Sequence, residues 1–453
     1  MIAHFVIFSY ALAGKDRLMV IDKLVPKRKI FYGWWIVFVA ALMHFFGGGT
    51  FYYGFTVFFN PIRNAFGWTA TETSLAFTLQ KLEQGVMSPL AGFLVDRVGP
   101  RRLMLFGWAV TGLGFFLMSR IDSLWAFYGI FLVIAVGQSF ASGLMSNTAI
   151  ANWFSKKRSR AMTFAFIGPG VSGLLAPLLA LSIGQFGWRD TLRFTGIALW
   201  AIGLPLSLVM RHKPSQYGYL PDGETTSPPS KTNGGQNYHF SSETVKSDSG
   251  SASTGVTAKE ALRTRAFWLL ASVGFFQQVG TSAVGVHIVP YLESVNVPTT
   301  IAAIAVTGVT LCSLIGRLGF GLLGDFHNKR YLTAIALAIQ AIGLLVFSFV
   351  SMDAAWLIIL FLLTYGPGYG GPIPLRPAMY ADYFGTRSYG TILGLTGIVS
   401  MIGGLVSPVI AGRIFDVTGS YRTAWQLFAL VTIPAVPLII LAKPPPVERG
   451  NLT

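Results

Sequence analysis

Twelve stretches of this chain are each long and apolar enough to cross a bilayer, which removes nearly every soluble architecture from consideration. A helix needs about 20 apolar residues to span the hydrocarbon. The runs are 34–59, 74–95, 103–120, 124–149, 161–184, 191–210, 267–291, 300–323, 331–350, 354–378, 390–412 and 423–442, most separated only by hairpin-length connections. Lipid offers no hydrogen-bond partner to a free backbone N–H or C=O, so apolar runs of this length are expected as helices. With 53% hydrophobic and only 11% charged residues, the expected fold class is an all-α membrane protein of twelve transmembrane helices.

The net charge of +16 would suggest nucleic acid in a soluble chain, but in a membrane protein basic residues gather in cytoplasmic segments. Of the 34 Lys and Arg, six (Arg63, Arg120, Arg189, Arg193, Arg413 and Arg422) fall on the far side and three within spans, and the rest are cytoplasmic if the N-terminus is inside. Both termini are therefore expected in the cytoplasm of a cell with an inner membrane, with no nucleic-acid partner. The single cysteine, Cys312, lies within a span and offers no disulfide framework.

Residues 1–30 read as a cytoplasmic segment. Its apolar start, Met1 to Gly14, is too short to span and lacks a basic n-region and a cleavage site. Gly-Lys-Asp-Arg (14–17) is compatible with a ribosome-binding sequence ahead of a true start at Met19. Between 211 and 265 the composition turns to Ser, Thr, Gly, Pro and Asn, which reads as a flexible cytoplasmic linker. It separates a first bundle (31–210) from a second (266–442), and 443–453 forms a tail whose Asn451-Leu-Thr453 sequon has no meaning on the cytoplasmic side.

The two sets of six spans repeat each other weakly. Gly92-Phe-Leu-Val-Asp96 after the second span matches Gly321-Leu-Leu-Gly-Asp325 after the eighth. The fourth and tenth spans end in Trp153-Phe154 and Tyr383-Phe384, and the fifth and eleventh carry Pro177 and Pro408. This points to a duplicated six-helix unit, hence two pseudo-symmetric bundles.

Six plus six spans, a central linker and an acidic-basic hairpin in each half resemble the major facilitator superfamily over about 32–442. The strongest motif is G-x-x-x-D-R-x-G-x-R-R, here Gly92, Asp96, Arg97, Gly99, Arg101 and Arg102. The resemblance implies that this loop bridges the halves on the cytoplasmic side and breaks as they rock, with Asp325 as its second-half counterpart. Physically, Asp96 suits a helix N-terminus, and the arginines suit helix C-termini or acidic groups.

Tyr32-Gly33-Trp34-Trp35, the run Trp153-Phe154-Ser-Lys156-Lys157-Arg158 leading to Ala161, and Pro214-Ser-Gln-Tyr-Gly-Tyr-Leu-Pro-Asp-Gly223 resemble motifs of the monocarboxylate transporter branch and its bacterial oxalate/formate antiporter relatives. An arginine within a span costs at least about 2.5 to 3.5 kcal/mol, so Arg317 needs a cavity or a partner. Its planar fork suits a carboxylate, and it matches the arginine on which that branch fixes the substrate carboxylate. Two positions depart from the proton-coupled members: Ser313 replaces an aspartate and Tyr53 a lysine.

The tenth span, Tyr365 to Pro374, carries too many Gly and Pro for a regular helix, and such spans occur where backbone lines a cavity. Arg376 just beyond is either a second anion contact or a residue snorkelling to the surface. Asn147, Gln278, His287 and Tyr369 are further candidate substrate contacts, the plainer reading of each being a polar group satisfied by a neighbouring helix. The Gly47–Gly49 and Gly54 cluster reads as close helix packing.

Lys81 and Glu83 lie in the second span. At about 100° per residue, Lys81, Gly85, Ser88 and Gly92 share one helix face and Glu83 points nearly opposite. Each therefore needs a partner on another span or in a water-filled cavity. The sharper expectation is that Lys81 adds positive potential for an anion and Glu83 supplies the carboxylate missing at Ser313 for proton coupling; the plainer one is two interhelical contacts.

No catalytic dyad, metal cluster or paired intramembrane carboxylate marks an enzyme, and no cofactor is expected. The leading reading is a secondary carrier, expected as a monomer, that moves small organic anions, carboxylates above all, by alternating access with a coupling proton or counter-anion. A multidrug exporter of the same fold is the alternative, and a non-transporting sensor the third reading.

Overall fold

The structure, a computed structural model, describes residues 31–141, 143–223 and 255–445. The predicted start at Met19, the middle of the predicted linker and the Asn451 sequon lie outside the described residues. The first half begins with α1 (Tyr32–Gly47), a π-helical turn (Gly48–Tyr53) and α2 (Gly54–Phe66), which together make the first span. Then come α3 (Ala70–Val98), α4 (Pro100–Met118), α5 (Leu124–Ala141) and α6 (Leu144–Trp153). The half ends with α7 (Arg158–Ala165), α8 (Ile167–Val171) and α9 (Leu175–Val209).

The second half opens with the short α10 (Ala258–Leu262), followed by α11 (Arg265–Ser294), α12 (Thr299–Leu323) and α13 (Lys329–Phe347). It closes with α14 (Leu357–Gly370), α15 (Pro372–Phe384), α16 (Tyr389–Thr418), α17 (Arg422–Thr432) and α18 (Ala435–Leu441). Ten helical runs among the described residues are long and apolar enough to cross a membrane. One of them, Arg158–Val209, holds two predicted spans that meet at Gly187, where φ is 77°. The remaining predicted span is α3, which carries Lys81 and Glu83 and falls outside the ten.

Local sequence explains the helix ends. Thr69 and Glu72 form a reciprocal capping box at the start of α3, and Asn328 caps α13 through the Arg330 amide at 3.1 Å. Glycines close α2 and α16 at Gly67 and Gly419, both with φ 69°. Side chains such as Leu178, Leu181, Phe186, Ile359 and Leu363 stand exposed on the bundle's outer face, where lipid rather than water suits them. Inside the second half, Tyr291, Phe347, Phe361 and Trp425 pack as an aromatic cluster.

Gly and Pro mark three spans, and two of them depart from regular α-helix. The Gly48–Tyr53 segment widens to a π-helix, and the Thr50 hydroxyl donates to the Phe46 carbonyl at 2.7 Å. Around Gly168-Pro-Gly170 the fifth span breaks: α7 stops at Ala165, Phe166 sits at φ −82° and ψ 2°, and α8 resumes. The tenth span, expected to be irregular, divides between α14 and α15 at Gly371 but keeps helical dihedrals there. The predicted linker is folded at both ends: Pro214–Tyr217 and Pro221–Gly223 form short 3₁₀ turns, and Gly255 bridges antiparallel to Gly385.

The halves meet along α3 and α16, which run side by side. A Cβ on Gly92 would strike the Gly390 carbonyl, one on Gly394 the Ser88 carbonyl, and one on Gly85 the Met401 side chain. At the Gly92 end, the Asp96 carboxylate accepts from the amides of Gly390 (2.9 Å) and Thr391 (2.8 Å) and from the Thr391 hydroxyl (2.7 Å), capping α16 from the opposite half. Asp325 does the same for α7, accepting from the amides of Ser159 (2.9 Å) and Arg160 (3.3 Å). In each case the amides belong to the second and third residues of a helix, where free N–H groups and the positive dipole end favour a carboxylate. The basic residues of the motif behave differently: Arg97 stacks on Phe93 at 4.0 Å, and Arg101 and Arg102 stand exposed.

Asp96→Ala deletes three hydrogen bonds between the halves; if they hold this end closed, the conformer population should shift about ten-fold toward a state open here. Spin–spin distances between labels at the exposed Arg101 and Arg387 positions, in a Cys312→Ser background, are expected to lengthen in the variant.

Candidate functional site

Above this closed end the halves leave a central space of two adjoining cavities. The first, about 490 Å³, is walled by His44, Tyr52, Lys81, Gln84, Gln138 and Ser139 from the first half and Gln278, Ser282, Ser400 and Met401 from the second. The second, about 430 Å³, is walled by Asn147, Gln277, Gln278, Thr281, Tyr369, Arg376 and Tyr380. Ser88, Gln278 and Ser400 line both. Among the described wall residues there is one cation in each cavity, Lys81 and Arg376, and no Asp or Glu.

The helix-face reading of Lys81 holds: Lys81, Gly85 and Ser88 all enter the first wall. Glu83 points away and accepts from the Ser139 hydroxyl on α5 at 3.0 Å, with its other oxygen buried and without a hydrogen-bond partner. Arg376 donates to the Gln277 amide oxygen at 3.0 Å, so the cation of the second cavity is braced from α11. Asn147 and Tyr380 each present a polar oxygen with no described partner, which suits a ligand or water.

Arg317 sits elsewhere than in these walls. It is 5% exposed, and its Nη1 donates to the Phe166 carbonyl at 3.0 Å, across the interface between halves. That carbonyl is available because the fifth span breaks at Phe166. The guanidinium packs so close to Gly170 that a Cβ there would come within 3.0 Å of Nη1. Tyr53 is exposed and lies in the electrostatic reach of Arg317 and Tyr369. His287 is apart from both cavities; it contacts the Pro408 carbonyl at 2.9 Å and rests on Tyr421.

Several groups in and around the site were not singled out in the sequence. His44 and Tyr52 stand in the first wall, with Tyr52 hydrogen-bonded to Gln84. At the closed end Asp382 pairs with Arg158 of the first half and with Lys329 at 2.8 Å. Arg158 also donates to the carbonyls of Phe154 (2.9 Å) and Ala151 (3.1 Å), so the buried guanidinium is held by the C-terminal end of α6 and by one acid. Burial pushes the Asp325 carboxyl up from its ordinary range, while the Arg160 and Ser159 amides pull it back. Only proximity in the repeat, Trp153-Phe154 against Tyr383-Phe384, hinted at the Arg158–Asp382 contact.

This is the architecture of a solute carrier: two like bundles tied at one end around a polar central space. The profile of the Major Facilitator Superfamily matches residues 34–294 and 270–453, and the chain belongs to that superfamily. An oxalate:formate antiporter of Oxalobacter formigenes is 25% identical over 418 residues, covering 91% of each chain. Monocarboxylate transporter 12 of Mus musculus is 28% identical over 400 residues, covering 83% of this chain and 79% of the relative. Among solved structures, a proton:xylose symporter superposes with a TM-score of 0.68 over 90% of this chain and 95% of that one; at 13% identity it speaks to fold alone. The protein is therefore a multi-pass membrane transporter of this superfamily.

Asp382→Asn leaves Arg158 buried beside a neutral partner, a change that costs of the order of 1 to 3 kcal/mol where a charged hydrogen bond is lost. The thermal midpoint of the purified protein in detergent should fall, and Arg158→Met combined with Asp382→Asn should fall by less than the two single effects added.

Proposed function

We propose that this transporter carries small organic anions bearing a carboxylate, by alternating access, with either a proton or a counter-anion as the coupled species. The observation that carries the reading is the pair of basic side chains, Lys81 and Arg376, in adjoining cavity walls that hold no described carboxylate. Such walls favour an anion over the organic cations for which an exporter needs acidic groups. The names of the relatives, an oxalate:formate antiporter and monocarboxylate transporters, support the same class.

In this reading Arg317 is the carboxylate anchor of a later stage of the cycle. Its donor is engaged by the Phe166 carbonyl while the Gly92 end is closed, and an arriving carboxylate competes for the same fork with a charged, bidentate acceptor. The entering anion meets Lys81 and Arg376 first. On the distribution of Lys and Arg, the tied end bearing Gly92 to Arg102 is the cytoplasmic one in this reading.

Uptake into proteoliposomes of labelled formate, acetate, lactate, oxalate and succinate, driven by a pH gradient or by an internal counter-anion, tests the proposal. At least one carboxylate is expected to accumulate. Lys81→Ala, Arg317→Ala and Arg376→Ala should each lower kcat/KM by about ten-fold or more, the scale of a lost charge-assisted contact. Transport confined to cations or neutral solutes would overturn the reading, and unchanged carboxylate transport in Arg317→Ala would remove the anchor assignment.

A further inference from the structure

The break in the fifth span exposes two successive carbonyls, and two basic side chains hang on them. Ala165 O lies 3.2 Å from His44 Nδ1, and Phe166 O receives Arg317 Nη1 at 3.0 Å. The ring of Phe166 stacks on the imidazole, at 5.4 Å between centroids and 17° between planes, and both rings form part of the first cavity's wall. A carbonyl only accepts, so Nδ1 carries the hydrogen in this contact. In the neutral ring, Nε2 then holds the lone pair. His44 is 6% exposed and that nitrogen is buried without a partner.

A buried imidazole with its tautomer fixed by a backbone carbonyl and its second nitrogen idle is arranged to take up one proton. Its surroundings decide when. The charge acting on His44 is that of Arg317 on α12, and Lys81 on α3 stands in the same wall. Further along its own span are Tyr52 and Tyr53. From α5 come Gln138 and Ser139, from α11 Gln278 and Ser282, and from α16 Ser400 and Met401, none of them charged. On α3 the Glu83 carboxylate is turned to Ser139 and is not among the described wall residues.

We infer that His44 is the proton acceptor that couples anion binding to proton uptake in this carrier. The inference rests on the organic-anion reading above and adds the residue and the order of events. With Lys81 in the same wall, Arg317 behind it and no described carboxylate among the lining residues, nothing described there offers a protonated imidazole a counter-charge. An entering carboxylate brings the missing negative charge to the wall that His44 shares with Lys81. Nε2 then takes up one proton that originates in cavity water and reaches it as the anion-loaded wall rearranges, forming an N–H bond, and hydroxide or the conjugate buffer is left behind. When the anion leaves on the other side, the same proton returns to water. Anion and proton affinity are thereby reciprocal: each raises the other by the same factor.

The test measures proton uptake directly. Purified full-length protein in detergent, weakly buffered with a pH-indicator dye, is titrated with formate, acetate and oxalate, and binding is followed in parallel by calorimetry. Wild type is expected to take up a proton with each anion bound, and to bind more tightly as pH falls. His44→Gln and His44→Asn should still bind, with proton uptake reduced about ten-fold and an affinity flat with pH, while Glu83→Gln keeps both wild-type behaviours.

Wild-type proton uptake in both His44 variants, or its loss in Glu83→Gln, overturns the assignment. So does wild-type anion binding with no proton uptake, which leaves the anion-carrier reading intact. Wild type that binds none of the probes brings down the anion reading and this inference with it.

Discussion

Everything in this structure hangs on the free amides at two helix starts. A bilayer-spanning helix satisfies its own backbone except at its ends, where the first N–H groups need an acceptor. Here α16 and α7 obtain theirs from the opposite half, through Asp96 and Asp325. The bonds that complete secondary structure are therefore also the bonds that close one end of the carrier. In the proposed alternating-access cycle, opening that end would leave two helix starts without their carboxylates, which gives the described contact an electrostatic basis. Arg158, Asp382 and Lys329 reinforce the same end from within.

Much of this was legible in the sequence, for reasons that differ by element. The spans follow from apolar length, and the duplicated Gly-x-x-x-Asp pattern placed both capping acids at equivalent points before any geometry was known. The helical phase of α3 separated Lys81 from Glu83 correctly, since rotation per residue is a local property. Arg317 was recognisable as a buried charge in need of a partner, but its partner in this state is a backbone carbonyl. Every residue carries one, so only the break at Phe166 singles it out.

His44 escaped notice because one histidine in an apolar run has no spacing to mark it; its meaning comes from a carbonyl 121 residues away. Arg158 and Asp382, 224 residues apart, are likewise invisible to any local pattern. The predicted linker was too generous at its edges. Asp222 accepts from the amides of Ser155, Lys156 and Lys157 at 2.7 to 3.1 Å, and Arg211 lies over the rings of Tyr32 and Tyr217. Composition alone reads such a polar stretch as solvated because it does not count backbone amides waiting for a carboxylate.

The seam between α3 and α16 is uneven along its length. Near Gly92 and Gly394 backbone touches backbone, whereas at Gly85 the opposing surface is the Met401 side chain, whose thioether has three rotatable bonds. Backbone contacts of that kind resist both compression and shear; a methionine yields to either. The seam is thus a rigid backbone-to-backbone joint toward the Asp96 end and a deformable thioether joint at Gly85, so its resistance to separation is graded along its length.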